Sequence, residues 1–352
     1  MSQPTILISF PFVEGGGAWH IPLGGACVEA LKGLGFNVGM FNPVVEARRG
    51  FGWKMLERSA VLGGRLIGRS KADTKSRLPW LEEAQRFDGL IAKAHALRPD
   101  YLLVISTFTY PQRVLEALRQ EAGVKKTIGW CVEGPTWIGK PNREAELYDH
   151  YFCIHRSGIT NPKIRYLPAL GFDASAYSRL EGQAKMHDLV FVGREKKRRV
   201  EWLMPLRELS LKVYGPEWGH TPLAAHQVSE GVFGHELNLL YNQAKIVLNV
   251  SAWENGGTGG SALNLRIFDV PATGSLLLTD YAPGIEEYLE PDKEVVVAHS
   301  PAEMRDKALY YLAHDAERER IARAGWEKVR QLETYPQKMR RLLEACNIPL
   351  PG

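Results

Sequence analysis

Short apolar runs separated by helix-length amphipathic stretches recur along this chain, and that alternation constrains its fold more than any other feature. In the first half, TILISF, FNVGMF, YLLVIST, KKTIGWCV, YDHYFCI and KIRYLP read as strands. Helices are expected through Cys27 to Leu34, at about 51–69 and 79–97, and from Pro111 to Ala122. The polar, small-residue stretch GFDASAYSRLEGQAKM then breaks the pattern, and a second alternation starts at HDLVFVG. It continues through helix 196–209, LKVYG, helix 234–243, KIVLNV, helix 264–273, SLLLT, a short helix at 284–289 and EVVVA, with helices at 301–313 and 315–331 behind it. Strands that alternate with helices predict parallel, doubly wound sheets whose ligands collect at the carboxyl ends of the strands.

A chain of 352 residues is long for one core and suits two domains of ordinary size. The expected division is a first Rossmann-like domain over 1–170, a linker over 171–186, a second over 187–333 and a terminal helix within 334–352. No apolar run approaches the roughly 20 residues that cross a bilayer, and MSQPTILISF lacks a basic region followed by a signal-type core, so a cytoplasmic protein is expected. Cys27, Cys131, Cys153 and Cys346 are far apart with no C-x-x-C pair, which predicts buried thiols rather than a zinc or disulfide framework.

The segment from Asn264 to Pro291 carries the most chemistry. Arg266 and Asp269 are three apart on one helical face, and Gly274 is suited to end that helix in a left-handed conformation. SLLLT is then a buried strand, after which the backbone N–H groups around Gly284 and Ile285 would open a new helix where a diphosphate could sit. A carboxylate on the preceding helix offers acceptors only, which matches the two donors of a ribose diol.

This segment, RIFDVPATG, resembles the Arg-x-Phe-Glu-x-x-Ala-x-Gly pattern of GT-B glycosyltransferases, most closely the CgeB-like (spore-maturation-type) group. Arg266, Phe268, Ala272 and Gly274 match, Asp269 stands in place of glutamate, and Ser261 occupies the position where many retaining relatives carry a second glutamate. The resemblance implies two Rossmann-like domains facing a cleft and a final helix, near Pro336 to Ala345, that crosses back to the first domain. It also implies transfer of a sugar from a nucleotide diphosphate sugar to an acceptor, without a cofactor or metal. Stereochemistry is left open. The sequence holds no Asp-x-Asp triplet or His/Cys cluster that would hold a metal ion.

Further donor-site candidates follow from the same likeness. DLVFVGREKKRR resembles the family's strand ending in glycine before basic residues, which makes Gly193, Arg194, Lys197 and Arg199 candidates for the diphosphate. LKVYGPEWG places Tyr214 and Trp218 where they either stack on the base or fill the core, and KIVLNV ends in Asn249 before a loop containing Gly256, Gly257, Gly259 and Gly260. In the first half, VEGGGAWH follows the first strand and supplies Glu14 and His20 as groups able to exchange a proton with an acceptor. Glu133, in TIGWCVEGPTW, stands where the family shows an aspartate past a strand.

The formal charge is only +4, but residues 48–77 carry nine basic side chains against Glu57 and Asp73, interleaved with apolar ones. A solvated surface helix is the leading reading, an anionic or membrane-associated acceptor the second, and nucleic acid the last. Three rival functions stay open: a nucleotide-sugar epimerase, a non-catalytic nucleotide-sugar-binding protein, and a dinucleotide oxidoreductase. The oxidoreductase ranks last because no G-x-G-x-x-G follows the first strand.

Overall fold

The computed structural model describes residues 3–12, 22–43, 55, 59, 62, 79–106, 108–133, 139–156, 158–252 and 263–351. Two parallel six-stranded sheets organise it. The first contains β1 (Thr5–Ser9), β2 (Asn37–Phe41), β3 (Tyr101–Ser106), β4 (Lys126–Cys131), β5 (His150–Cys153) and β6 (Ile164–Tyr166), in the order β2-β1-β3-β4-β5-β6. Its helices are α1 (Pro22–Gly33), α2 (Pro79–Leu97), α3 (Gln112–Ala122) and α4 (Gly139–Glu144). Period-2 alternation sends Ile6 and Ile8 of β1 into one core and Leu7 into the other, so both faces are covered and the strand reads as unbroken apolar sequence.

The second sheet contains β7 (His187–Val192), β8 (Leu211–Tyr214), β9 (Gln227–Ser229), β10 (Ala244–Asn249), β11 (Leu276–Asp280) and β12 (Val296–Ala298), in the order β12-β11-β10-β7-β8-β9. Between and behind them run α5 (Lys197–Leu203), α6 (Gly234–Gln243), α7 (Arg266–Ala272), α8 (Pro301–Ala313) and α9 (Asp315–Val329). Ile246 and Leu248 of β10 enter one core, and Val247 enters the opposite one. Strand order reverses between β7 and β10, a topological switch point of the kind where open sheets bind ligands.

The last helix, α10 (Tyr335–Ala345), belongs to the first sheet's core. Tyr335, Met339, Leu342 and Leu343 pack there with Cys27, Val28 and Leu31 of α1. A capping box fixes its start, with Thr334 and Gln337 each satisfying the other's backbone N–H. Lys126 Nζ at the start of β4 donates to the carbonyls of Cys346 and Asn347 at 2.6 and 3.0 Å, which pins the end. The carboxyl edges of the two sheets meet where Arg156, just past β5, lies 3.7 Å from Glu287, just past β11, and over the Tyr166 ring at 4.1 Å. All four cysteines are free and buried.

Three details depart from the sequence expectations. Helix 196–209 is shortened to α5 plus a 3-10 turn, Met204–Leu206, because Pro205 has no N–H to continue the ladder. The short helix at 284–289 is a single 3-10 turn, Ile285–Glu287, entered through Gly284 at φ 90°. Edge strand β9 and helix α4 were not anticipated: one is three residues long and the other six, too short for either periodicity to register. Of the expected helix at 51–69, only Met55, Ser59 and Leu62 are described; they are helical and exposed, and the rest of the basic 48–77 segment lies outside the described residues.

Candidate functional site

A cavity of about 280 Å³ opens at the carboxyl ends of β7 and β8. The ends of β7 and β8 form its floor through Val192, Gly193, Tyr214 and Gly215. The two strand ends approach closely, since Gly193 N donates to the Tyr214 carbonyl at 2.8 Å. A Cβ on Gly215, whose φ is +147°, would lie 2.1 Å from the Gly193 oxygen. Trp218 fixes this floor from below; it is fully buried, donates Nε1–H to the Gly193 carbonyl at 2.9 Å and packs edge-on against Phe191. Trp218 is therefore a core residue, and of the two aromatics in that motif only Tyr214 lines the cavity.

Arg266 spans the switch point. Its Nε donates to the Val192 carbonyl at the end of β7 (2.9 Å), and Nη1 donates to Asn249 Oδ1 at the end of β10 (3.0 Å) and to Asn264 Oδ1 (3.1 Å). Asn249 is thus a positioning group for Arg266, held in turn by Thr279 Oγ1 at 2.9 Å. One turn further along α7, Asp269 faces the same cavity, with Tyr177 and Tyr241, stacked at 6.2 Å, as the adjoining wall. Asp269 is 9% exposed and accepts no hydrogen bond among the described residues. Burial holds its carboxyl well above the usual carboxylate range; Arg266 pulls it back only in part, and Asp173 adds to the rise. Gly274 ends this region at φ +72° as its position predicts.

The basic residues after β7 do not converge on the cavity. Arg194 pairs with Glu217, and Lys197 points into solvent, 90% exposed and 3.9 Å from Glu201. Arg199 turns inward, donating to the carbonyls of Val250 (3.0 Å) and Arg194 (2.7 Å), and burial pushes its guanidinium down to about 9. Arg198, which the sequence reading passed over, donates to Asp280 Oδ2 at 2.6 Å and to the Ser251 carbonyl at 3.1 Å. Four consecutive cations look alike in sequence, and what separates this one is an aspartate 82 positions away. Gly284 and Ile285 do not line the cavity. Ile285 is fully buried, and the N–H groups of Ile285 and Glu287 serve the carbonyls of Ala282 and Gly284, so the expected helix start is a single 3-10 turn.

On the first sheet, Glu133 lies just past β4 with Lys140 Nζ at 3.3 Å. Behind the pair, buried Glu144 accepts from the Tyr151 hydroxyl at 2.7 Å and from Thr109. His155 Nε2 lies 2.7 Å from the Glu133 carbonyl; a carbonyl only accepts, so Nε2 carries the proton. Glu14, His20, Ser261 and the glycines at 256–260 lie outside the described residues. Among the described residues no group of three His, Cys, Asp or Glu side chains is placed to hold a metal ion, and no helix is long and apolar enough to cross a membrane.

Residues 195–344 match the family described as Glycosyl transferase-like. No curated protein sequence matches the chain. Among solved structures, sucrose-phosphate synthase from Thermosynechococcus elongatus superposes with a TM-score of 0.67 at 14% identity, over 98% of this chain and 99% of that one. HepE of Anabaena, solved with UDP-glucose, gives 0.61 at 12% identity over 97% and 99%. A glycosyltransferase from Rickettsia africae ESF-5 gives 0.60 at 12% over 99% and 98%. The shared architecture is GT-B.

Proposed function

We propose, from a GT-B fold whose second half matches a glycosyl transferase-like family, that this protein transfers a sugar from a nucleoside diphosphate sugar to an acceptor hydroxyl. The observation that carries the reading is the buried Asp269 carboxylate, unbonded among the described residues and turned into a cavity at the carboxyl ends of β7 and β8. Unmet acceptors in a buried site call for a ligand with paired donors, and a ribose diol supplies them. The base would lie along Tyr214 and Phe233, with the diphosphate directed toward the first sheet. HepE, solved with UDP-glucose, shows the same architecture and supports a nucleotide-sugar donor.

In this mechanism Glu133 takes the acceptor proton as the bond from the anomeric carbon to the diphosphate breaks. Arg266, the cation among the described residues lining the cavity, rather than a metal ion balances the leaving charge. Glu133→Gln is expected to lower kcat by about 10²–10⁴-fold, the usual range for a general base, with the donor Kd unchanged. A Kd that moved in step with kcat would place Glu133 in donor binding instead. Turnover should also survive EDTA.

The direct test is thermal denaturation against UDP, GDP, TDP, CDP and ADP sugars, with NAD as control. A ligand present at about 100 times its Kd stabilises the folded state by about 2.7 kcal/mol, so one nucleotide series should raise Tm and NAD should not. A shift with NAD alone would sink the reading. Conversion of a nucleotide sugar with no acceptor present would favour the epimerase alternative, and binding without turnover the non-catalytic one.

Asp269 adds a pH signature. Its folded-state pKa is raised, so the apo protein holds a proton there that the unfolded chain has lost, and apo stability falls as pH climbs from the unfolded to the folded value. Donor binding needs the ionised form and should strengthen across the same window. Isothermal titration and melting at matched pH values check the opposed slopes; parallel slopes would exclude Asp269 as the ribose acceptor.

A further inference from the structure

A second cavity, of about 310 Å³, lies on the same carboxyl edge but at the ends of β11 and β12, on the other side of β10 from the first. It is lined by Arg198, Trp202, Tyr281, Pro283, Ala298 and His299, none of which lines the nucleotide cavity. From this lining we infer that the second cavity is a saccharide site that seats a pyranose ring of the acceptor. The acceptor role rests on the glycosyltransferase reading, whereas ring binding does not.

A pyranose presents apolar C–H faces and a rim of hydroxyls that both donate and accept, so its site needs ring surfaces beside a few fixed polar groups. Both are present. The Tyr281 and His299 rings stack at 5.1 Å with planes 27° apart, and both side chains are solvent-accessible, with Tyr281 42% exposed. Trp202 forms the deeper wall, with the Arg198 guanidinium 4.7 Å above its ring. Arg198 is fixed through Nη1 alone; its Nε and Nη2 hydrogens have no partner among the described residues, nor do the ring nitrogens of His299. Donors and acceptors are thus placed around an aromatic surface.

Charge separates a sugar from a phosphate at this site. The Arg198 cation is balanced by Asp280 at 2.6 Å, the Glu286 carboxylate raises the Tyr281 hydroxyl's pKa, and the His299 backbone N–H donates to Glu303. Among the described residues the one cation that lines this cavity is already neutralised by Asp280, so the cavity does not recruit a dianion, whereas a neutral polyol meets no such opposition. The position also suits an acceptor. Ser251, at the end of β10, donates its N–H to Asp280 and accepts from Arg198, so one polar cluster joins the floor of this cavity to the strand that carries Asn249 of the nucleotide site.

Saturation-transfer-difference NMR of the full chain with methyl α-glucopyranoside, methyl β-galactopyranoside and methyl N-acetyl-β-glucosaminide tests the inference, each with and without UDP. At least one glycoside should show transfer to its ring protons that UDP leaves in place. Tyr281→Ser and His299→Ala, both at exposed positions, should each cut it at least 3-fold with Tm and UDP affinity unchanged. Absence of transfer from all three glycosides, equal signals in the variants, or displacement by UDP would each overturn the saccharide site. UDP binding in the same samples reports on the donor reading separately: a glycoside signal without UDP binding keeps this site and removes that reading, and the reverse does the opposite.

Discussion

Asp269→Asn should weaken binding of the cognate nucleoside diphosphate by about 10–100-fold, the equivalent of the roughly 1.5–3 kcal/mol carried by hydrogen bonds to a charged group. The amide keeps the shape of the side chain but replaces one acceptor with a donor, so it cannot take both ribose hydroxyls. The fold should survive. Burial already disfavours the ionised carboxylate, and no protein group among those described depends on it for a hydrogen bond, so Tm of the apo variant should equal or exceed that of the parent. Titration calorimetry with the nucleotide found in the thermal screen measures the loss. An unchanged Kd would remove the ribose role from Asp269 and the main support of the donor site with it. Arg194→Ala, at a side chain engaged with Glu217 outside the cavity, should change Kd far less.

Gly215→Ala should be the most damaging small substitution at the site. Two costs act together: a side chain at φ +147°, about 1–3 kcal/mol, and a Cβ pressed to 2.1 Å from a backbone oxygen, about another 1–3 kcal/mol even after relaxation. Because the obstructing atom is the Gly193 carbonyl, which also accepts the Trp218 N–H, relief requires β7 and β8 to part. Tm should drop by several degrees, and nucleotide affinity should fall through the displaced floor. A variant with parental Tm and affinity would show that the two strand ends are not held at this spacing.

The segment that proved most legible was α7 and its flanks. Arg266, Asp269 and Gly274 are close in sequence, and helical spacing alone puts the first two on one face, which is why the cavity contains both. The strands were legible for a similar reason, because a parallel strand covered on both faces needs an apolar run that local sequence displays. The basic stretch after β7 was legible only as charge. Solvent took Lys197, backbone carbonyls took Arg199, Glu217 took Arg194 and Asp280 took Arg198, and each outcome depends on a neighbour supplied by another part of the fold or by open water.

By itself, then, the sequence determined the two doubly wound sheets and the placement of Arg266 and Asp269 on one helix face, because periodicity and helical spacing are local properties. Tertiary structure alone decided that Trp218 supports the floor, that Asn249 positions Arg266, that the turn at Gly284 is a 3-10 turn and that α10 completes the first core. It also assembled the cavity of Arg198, Trp202, Tyr281 and His299 from helix and strand ends about 100 residues apart. Those outcomes depend on which buried polar groups find partners and which ring faces stay open, and that is settled only when distant strand ends are packed side by side.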